Sequence, residues 1–163
     1  RIVLEAVIAM VLAIILIVAI TPLGGILISI IIGDGKEDTS IKYYENLINK
    51  IDALETGKST EILFKISTDY FLVGFHPDKE FISYKGSNIQ KPSTFTDKSA
   101  LCLCKAPINE DSCLDLEITP CFDFGTYDII NSKQGNDIVI DPKTTANLLI
   151  NKTKNLIDIN VQT

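Results

Sequence analysis

EILFKISTDYFLVGFHPDKEFISY, residues 61–84, changes its texture twice within one short passage. In EILFKIS the apolar side chains fall at Ile62, Phe64 and Ile66, a period of two that sets one face of a strand against a core. YFLVGF is a fuller apolar run, and FISY resumes the strand pattern after the turn residues HPDK. The passage reads as three successive strands, and the body of the chain as β-rich.

Toward the C-terminus the pattern continues. GSNIQKPSTFTDKS, residues 86–99, reads as a polar loop, after which LCLCK, LDLEI, FDF, YDII, DIVID, LLI and LIDINV supply short strands separated by Pro, Gly, Asn and Asp. Many short strands at such spacing suggest a β-sandwich or a related meander. Toward the N-terminus the period changes to that of a helix. In SIKYYENLINKIDALETG the apolar residues Ile41, Tyr44, Leu47, Ile48, Ile51 and Leu54 recur at three- and four-residue intervals. An amphipathic helix over 41–56 follows, capped by Thr39 or Ser40 and ended by Gly57, its apolar stripe packed on the β-rich head. The glycine- and charge-rich residues 34–40 read as a hinge.

Before the hinge lies different material. Between Ile2 and Ile32 only Glu5, Thr21, Pro22, Gly24, Gly25 and Ser29 are not plainly apolar. As a helix this run would extend roughly 45 Å, longer than the ~30 Å hydrocarbon slab of a bilayer, and it has no polar face. A cleaved secretory signal has a shorter apolar region and a small-residue cleavage site, so the run reads as part of the mature protein. Arg in place of Met at position 1 fits an N-terminus left by processing. Residues 1–33 are thus expected to form a hydrophobic transmembrane or filament-core helix, and residues 41–163 an extracellular head. Arg1 on the near side and the acidic GDGKED on the far side orient the N-terminus to the cytoplasm. The fold class expected is α+β: a long hydrophobic N-terminal helix, a short amphipathic helix, then a β-rich, sandwich-like head.

The N-terminal run resembles the mature N-terminus of type IV pilins. In that family a prepilin peptidase cuts just before a long hydrophobic helix with glutamate at its fifth position and proline at its twenty-second, places held here by Glu5 and Pro22. The resemblance covers about the first 32 residues; Arg1 departs from the Phe or Met usual at the first position. The apolar run continues past Pro22 through LGGILISIII, as in archaeal pilins and archaellins, whereas in bacterial pilins the helix turns amphipathic there. Archaellins as a rule lack the glutamate and the proline, so an archaeal pilus subunit ranks above an archaellin or a minor pilin. The resemblance implies a self-assembling helical homopolymer on the cell surface, drawn from a membrane-inserted precursor by the pilus assembly machinery.

Physical chemistry bears on the same residues. Ala6, Ala9 and Ala13 form a strip of small side chains that lets helices approach closely. A carboxylate deep in a bilayer costs a few kcal/mol, so Glu5 calls for a partner. In a filament that partner would be the N-terminal amine of an adjoining subunit; in a plain anchor Glu5 would reach the headgroups and pair with Arg1. Pro22, with Gly24 and Gly25 after it, marks either a weak point or a mild bend. A single-pass anchor carrying a binding ectodomain, without polymerisation, is the alternative of another class.

Four cysteines, Cys102, Cys104, Cys113 and Cys121, fall on the expected outer side of the membrane and read as two disulfides. Cys102 and Cys104 share one face of a strand, which disfavours their pairing and leaves two connectivities open: 102–113 with 104–121, or 102–121 with 104–113. Paired CxxC spacing for zinc is missing. No catalytic constellation, calcium loop or phosphate cradle is evident, so neither enzymatic activity nor a cofactor is expected. His76, the only histidine, reads as an exposed turn residue beside Pro77. The chain's fifteen Lys and Arg against twenty-one Asp and Glu, net charge −6, argue against nucleic acid. Asn151 in NKT is a glycosylation candidate.

Overall fold

The computed structural model describes residues 35–133, 135, 137–141 and 145–162, with side chains from residue 39 onward. The chain divides into two units, Arg1–Gly35 and Lys36–Thr163, and the architecture below is that of the second. One α-helix, α1 (Gly35–Ala53), precedes ten strands: β1 (Lys58–Phe64), β2 (Tyr70–Phe75), β3 (Phe81–Tyr84), β4 (Ser87–Gln90), β5 (Ser99–Lys105), β6 (Cys121–Gly125), β7 (Asp128–Ile130), β8 (Ile138–Ile140), β9 (Ala146–Lys152) and β10 (Leu156–Gln162).

The strands make two four-stranded sheets, ordered β1-β9-β10-β7 and β6-β5-β2-β8, and a separate hairpin β3-β4. All pairings are antiparallel except β10 with β7. Alternation decides how they stack. Ile62 and Phe64 of β1, Leu148 and Ile150 of β9, and Ile157 and Ile159 of β10 share a core with Leu72, Leu101, Leu103, Ile138 and Ile140 of the second sheet. The intervening residues of that second sheet, Phe71, Val73, Phe75, Cys102, Cys104 and Val139, enter a second core with Ile82 and Ile89 of the hairpin. The second sheet is therefore a central layer covered on both faces. That is why YFLVGF lacks polar alternation: all six residues of β2 are buried.

Among the described residues, the α+β class expected from the sequence gives way to a predominantly β body with a single α-helix of nineteen residues. The long hydrophobic helix expected over 1–33 falls outside the described residues. Among the described residues, no helix is long and apolar enough to cross a membrane. Only one described stretch carries a sustained helical period, and it needs only one face covered: Tyr44, Leu47, Ile48 and Ile51 of α1 are buried in the first core.

The helix also begins earlier than the residues read as a hinge allow, at Gly35 instead of 41, and ends at Ala53 instead of 56. Ser40 lies inside it, 1% exposed, and its hydroxyl oxygen accepts the backbone N–H of Ser67. That serine, inside the helix, also holds the loop between β1 and β2. At the other end the Lys152 ammonium donates to the carbonyls of Ile51 (3.0 Å) and Asp52 (3.3 Å), a cationic cap on the negative end of the helix dipole. Gly57, with φ +84°, turns the chain into β1.

The polar loop expected over 86–99 is in part a strand. Lys85 (φ 48°) and Gly86 (φ 84°) form a two-residue turn with both φ values positive, joining β3 to β4 with Tyr84 opposite Ser87. Conversely, LDLEI, expected as a strand, is a run of turns in residues 113–119.

Candidate functional site

Both disulfides start from the same strand. Cys102 pairs with Cys121 and Cys104 with Cys113, which selects one of the two connectivities left open by the sequence. Cys102 and Cys104 point into the second core, so both bridges tie the segment 106–120 onto the outward face of the central sheet. Between the bridged residues Cys113 and Cys121 the chain folds on itself. The Asp115 carbonyl accepts the backbone N–H of Ile118 (3.2 Å) and Thr119 (2.9 Å) and the Thr119 hydroxyl, while its carboxylate accepts the N–H of Glu117. Leu114, Leu116 and Ile118 are left exposed on this tongue. The alternating pattern L-D-L-E-I mimics a strand, but both ends are pinned to neighbouring residues of β5, and such a segment must loop out and return.

The hairpin β3–β4 covers the rest of the central sheet. Ile82 and Ile89 are buried, and Phe81, Ser83, Asn88 and Gln90 face outward, Phe81 opposite Gln90 and Ser83 opposite Asn88. Three polar attachments fix it. Lys79 pairs with Asp137 at 2.5 Å and Lys85 with Asp141 at 2.8 Å, residues that flank β8 on either side. The third is Lys91, 6% exposed, whose ammonium donates to the carbonyls of His76 (2.7 Å), Pro77 (3.0 Å) and Thr96 (3.1 Å). Those three acceptors match its three protons. Burial lowers the Lys91 pKa below the usual lysine range, against the opposing pull of Asp97 and Asp78.

Around this hairpin lie three shallow clefts in a strip. One encloses about 490 Å³ and is walled by Asp78, Lys79, Glu80, Phe81, Ser83 and Asp137. Next to it, sharing Glu80, is one of about 220 Å³ over Lys91, Pro92 and Thr96. A third, of about 300 Å³, runs from Gln90 and Pro92 to Leu114 and Leu116 of the tongue. Phe81 is 53% exposed at the open end of this strip.

The residues singled out in the sequence are distributed unevenly. Arg1, Glu5, Ala6, Ala9, Ala13 and Pro22 lie outside the described residues. The cysteines are brought together as two bridges, and no free thiol remains among the described residues. Asn151 sits on β9, half-buried, on the side opposite Ile150 and thus on the outward face of the first sheet, between Ser59 and Asp158 in register. His76, expected exposed, is only 17% exposed in its side chain and stands 3.8 Å from Asp128. Among the described residues no three His, Cys, Asp or Glu side chains are grouped to hold a metal ion. Sequence reasoning passed over Phe81, Lys91 and the tongue. A lysine between Gln and Pro in a polar stretch gives no sign of burial, and the Y-K-G-S turn was the clue to the second strand of the hairpin.

No protein-family profile matches this chain, and neither a curated protein nor a solved structure matches it.

Proposed function

We propose that the chain is the structural subunit of an extracellular filament of the type IV pilus kind, archaeal in character, that polymerises through its N-terminal apolar segment and exposes its β-rich body for surface contact. The observation that carries this reading is the joint spacing of Glu5 and Pro22 in an apolar run that extends to Ile32. The two disulfides support an exterior location, because such bridges form and persist in oxidising compartments. The role is structural, not catalytic. Its partners are further copies of itself, the membrane before assembly, the prepilin peptidase and the assembly machinery.

Electron microscopy of cells that express the full chain with its secretion machinery tests the reading. Thin filaments labelled by an antibody to the body are expected. Glu5→Ala should reduce filaments while leaving the membrane-inserted pool intact, since removing a charge eases insertion. A native chain that stays in the membrane as a monomer, with no filament, would sink the proposal in favour of an anchored binding ectodomain.

A further inference from the structure

The outward face of the β3–β4 hairpin combines one exposed ring with groups that hydrogen-bond in both directions. Phe81 presents its ring to solvent while its neighbour Ile82 does the anchoring, so the ring is not needed to hold the hairpin down. Beside it on the two-stranded face stand the Ser83 hydroxyl and the Asn88 and Gln90 amides, and the carboxylates of Asp78 and Glu80 line the same cleft as Phe81 and Ser83. The Ser83 hydroxyl donates to the side-chain oxygen of Asn88 at 2.7 Å, a bond that does not use the two N–H donors of the Asn88 amide.

That set of groups suits one ligand chemistry. A pyranose ring has an apolar face of C–H groups that stacks on an aromatic ring, and an edge of hydroxyls that donate to carboxylates and both donate to and accept from amides. We propose that the Phe81 face binds a neutral saccharide, the sugar stacking on Phe81 with its hydroxyls directed to Glu80, Asp78 and Gln90. The proposal rests on the filament reading for its purpose, naming what the exposed body would contact.

Charge narrows the class further. Lys79 is engaged with Asp137, so Asp78 and Glu80 leave the cleft negative, which disfavours sulfated, sialylated or phosphorylated ligands. A basic peptide is the other candidate such a charge admits. It fits less well at this cleft, where Phe81 is the only apolar lining residue and an extended peptide has no second apolar contact. The face is also preorganised: two ion pairs and the three-carbonyl seat of Lys91 hold the hairpin, so little ordering accompanies binding.

The test uses the full chain in detergent micelles, titrated calorimetrically with neutral hexasaccharides of glucose, mannose and N-acetylglucosamine, with dextran sulfate and with hexalysine. Binding of at least one neutral hexasaccharide is expected, weakened about tenfold or more by Phe81→Ala and kept by Phe81→Tyr, a loss of ~1.4 kcal/mol. Because Phe81 is exposed, both variants should melt like the parent, which separates lost binding from lost folding. Failure of every neutral sugar to bind, binding indifferent to Phe81→Ala, or binding of hexalysine alone would overturn the proposal. The assay needs no assembly and the microscopy needs no sugar, so each reading can fail without the other.

Discussion

Gly74 shows how a single residue can be dictated by distant parts of the chain. A Cβ added there would lie 3.0 Å from Cβ and Cδ1 of Ile138 and 3.1 Å from Cγ2 of Ile129, at a place where β2 meets β8 and β7. Gly74→Ala is expected to destabilise the protein by about 1–3 kcal/mol through overpacking, measurable by urea denaturation. Nothing near YFLVGF in the sequence announces this, because the contacting isoleucines belong to strands formed much later in the chain. Lys91 makes a similar point about charge. Lys91→Met removes the ammonium but leaves three carbonyls without their donor, and a loss of roughly 1–3 kcal/mol is expected by the same measurement. At Asp123 the Lys98 ammonium, 2.6 Å away, holds the carboxyl below the usual aspartate range. A depressed folded-state value means that this pair stabilises above the unfolded value near pH 4 and ceases to do so as the pH falls through the folded value. Both groups are substantially exposed, so the effect is small, roughly a few tenths of a kcal/mol. Asp123→Asn should therefore cost stability at pH 7 and progressively less toward pH 2, with denaturation midpoints at the two pH values as the check.

Among the elements, those defined by local period were the most legible. The stripe from Tyr44 to Ile51 identifies α1, and the residues of that stripe are the ones buried. The boundaries were not, because Gly35 to Asp38 lack any stop signal strong enough to set against continued helix, and Ser40, read as a cap, lies inside the helix. The hairpin β3–β4 was half seen: β3 has the expected alternation, whereas β4 is polar except for Ile89 and depends on its turn for definition. The tongue misled because its alternation is real, yet its context is set by covalent bonds that local pattern does not reveal. Those bonds have a measurable worth. Closing the nine-residue separation from Cys104 to Cys113 is expected to contribute about 2–3 kcal/mol by restricting the unfolded chain, and the longer bridge from Cys102 to Cys121 about 3 kcal/mol. The shorter loop is nested inside the longer and shortens it, so either bridge left alone recovers part of the loss and replacing all four cysteines by alanine should cost more than the sum of the two pairwise replacements. Thermal denaturation of the three variants decides this.

For the whole molecule, the decisive arrangement is the central sheet buried on both faces, with the first sheet and α1 on one side and the hairpin and tongue on the other. It explains why YFLVGF is an uninterrupted apolar run, a pattern visible in the sequence although the layer that covers its second face is not. β5 lies within that central sheet between β6 and β2 and is the origin of both cystines. Under tension this becomes a matter of slack. When the chain is pulled from its ends, the 19-residue span from Cys102 to Cys121 cannot pay out while its bridge is intact, which withholds roughly 60 Å of extension at about 3.4 Å per residue. Single-molecule stretching should show the oxidised body lengthening by that much less than the reduced one.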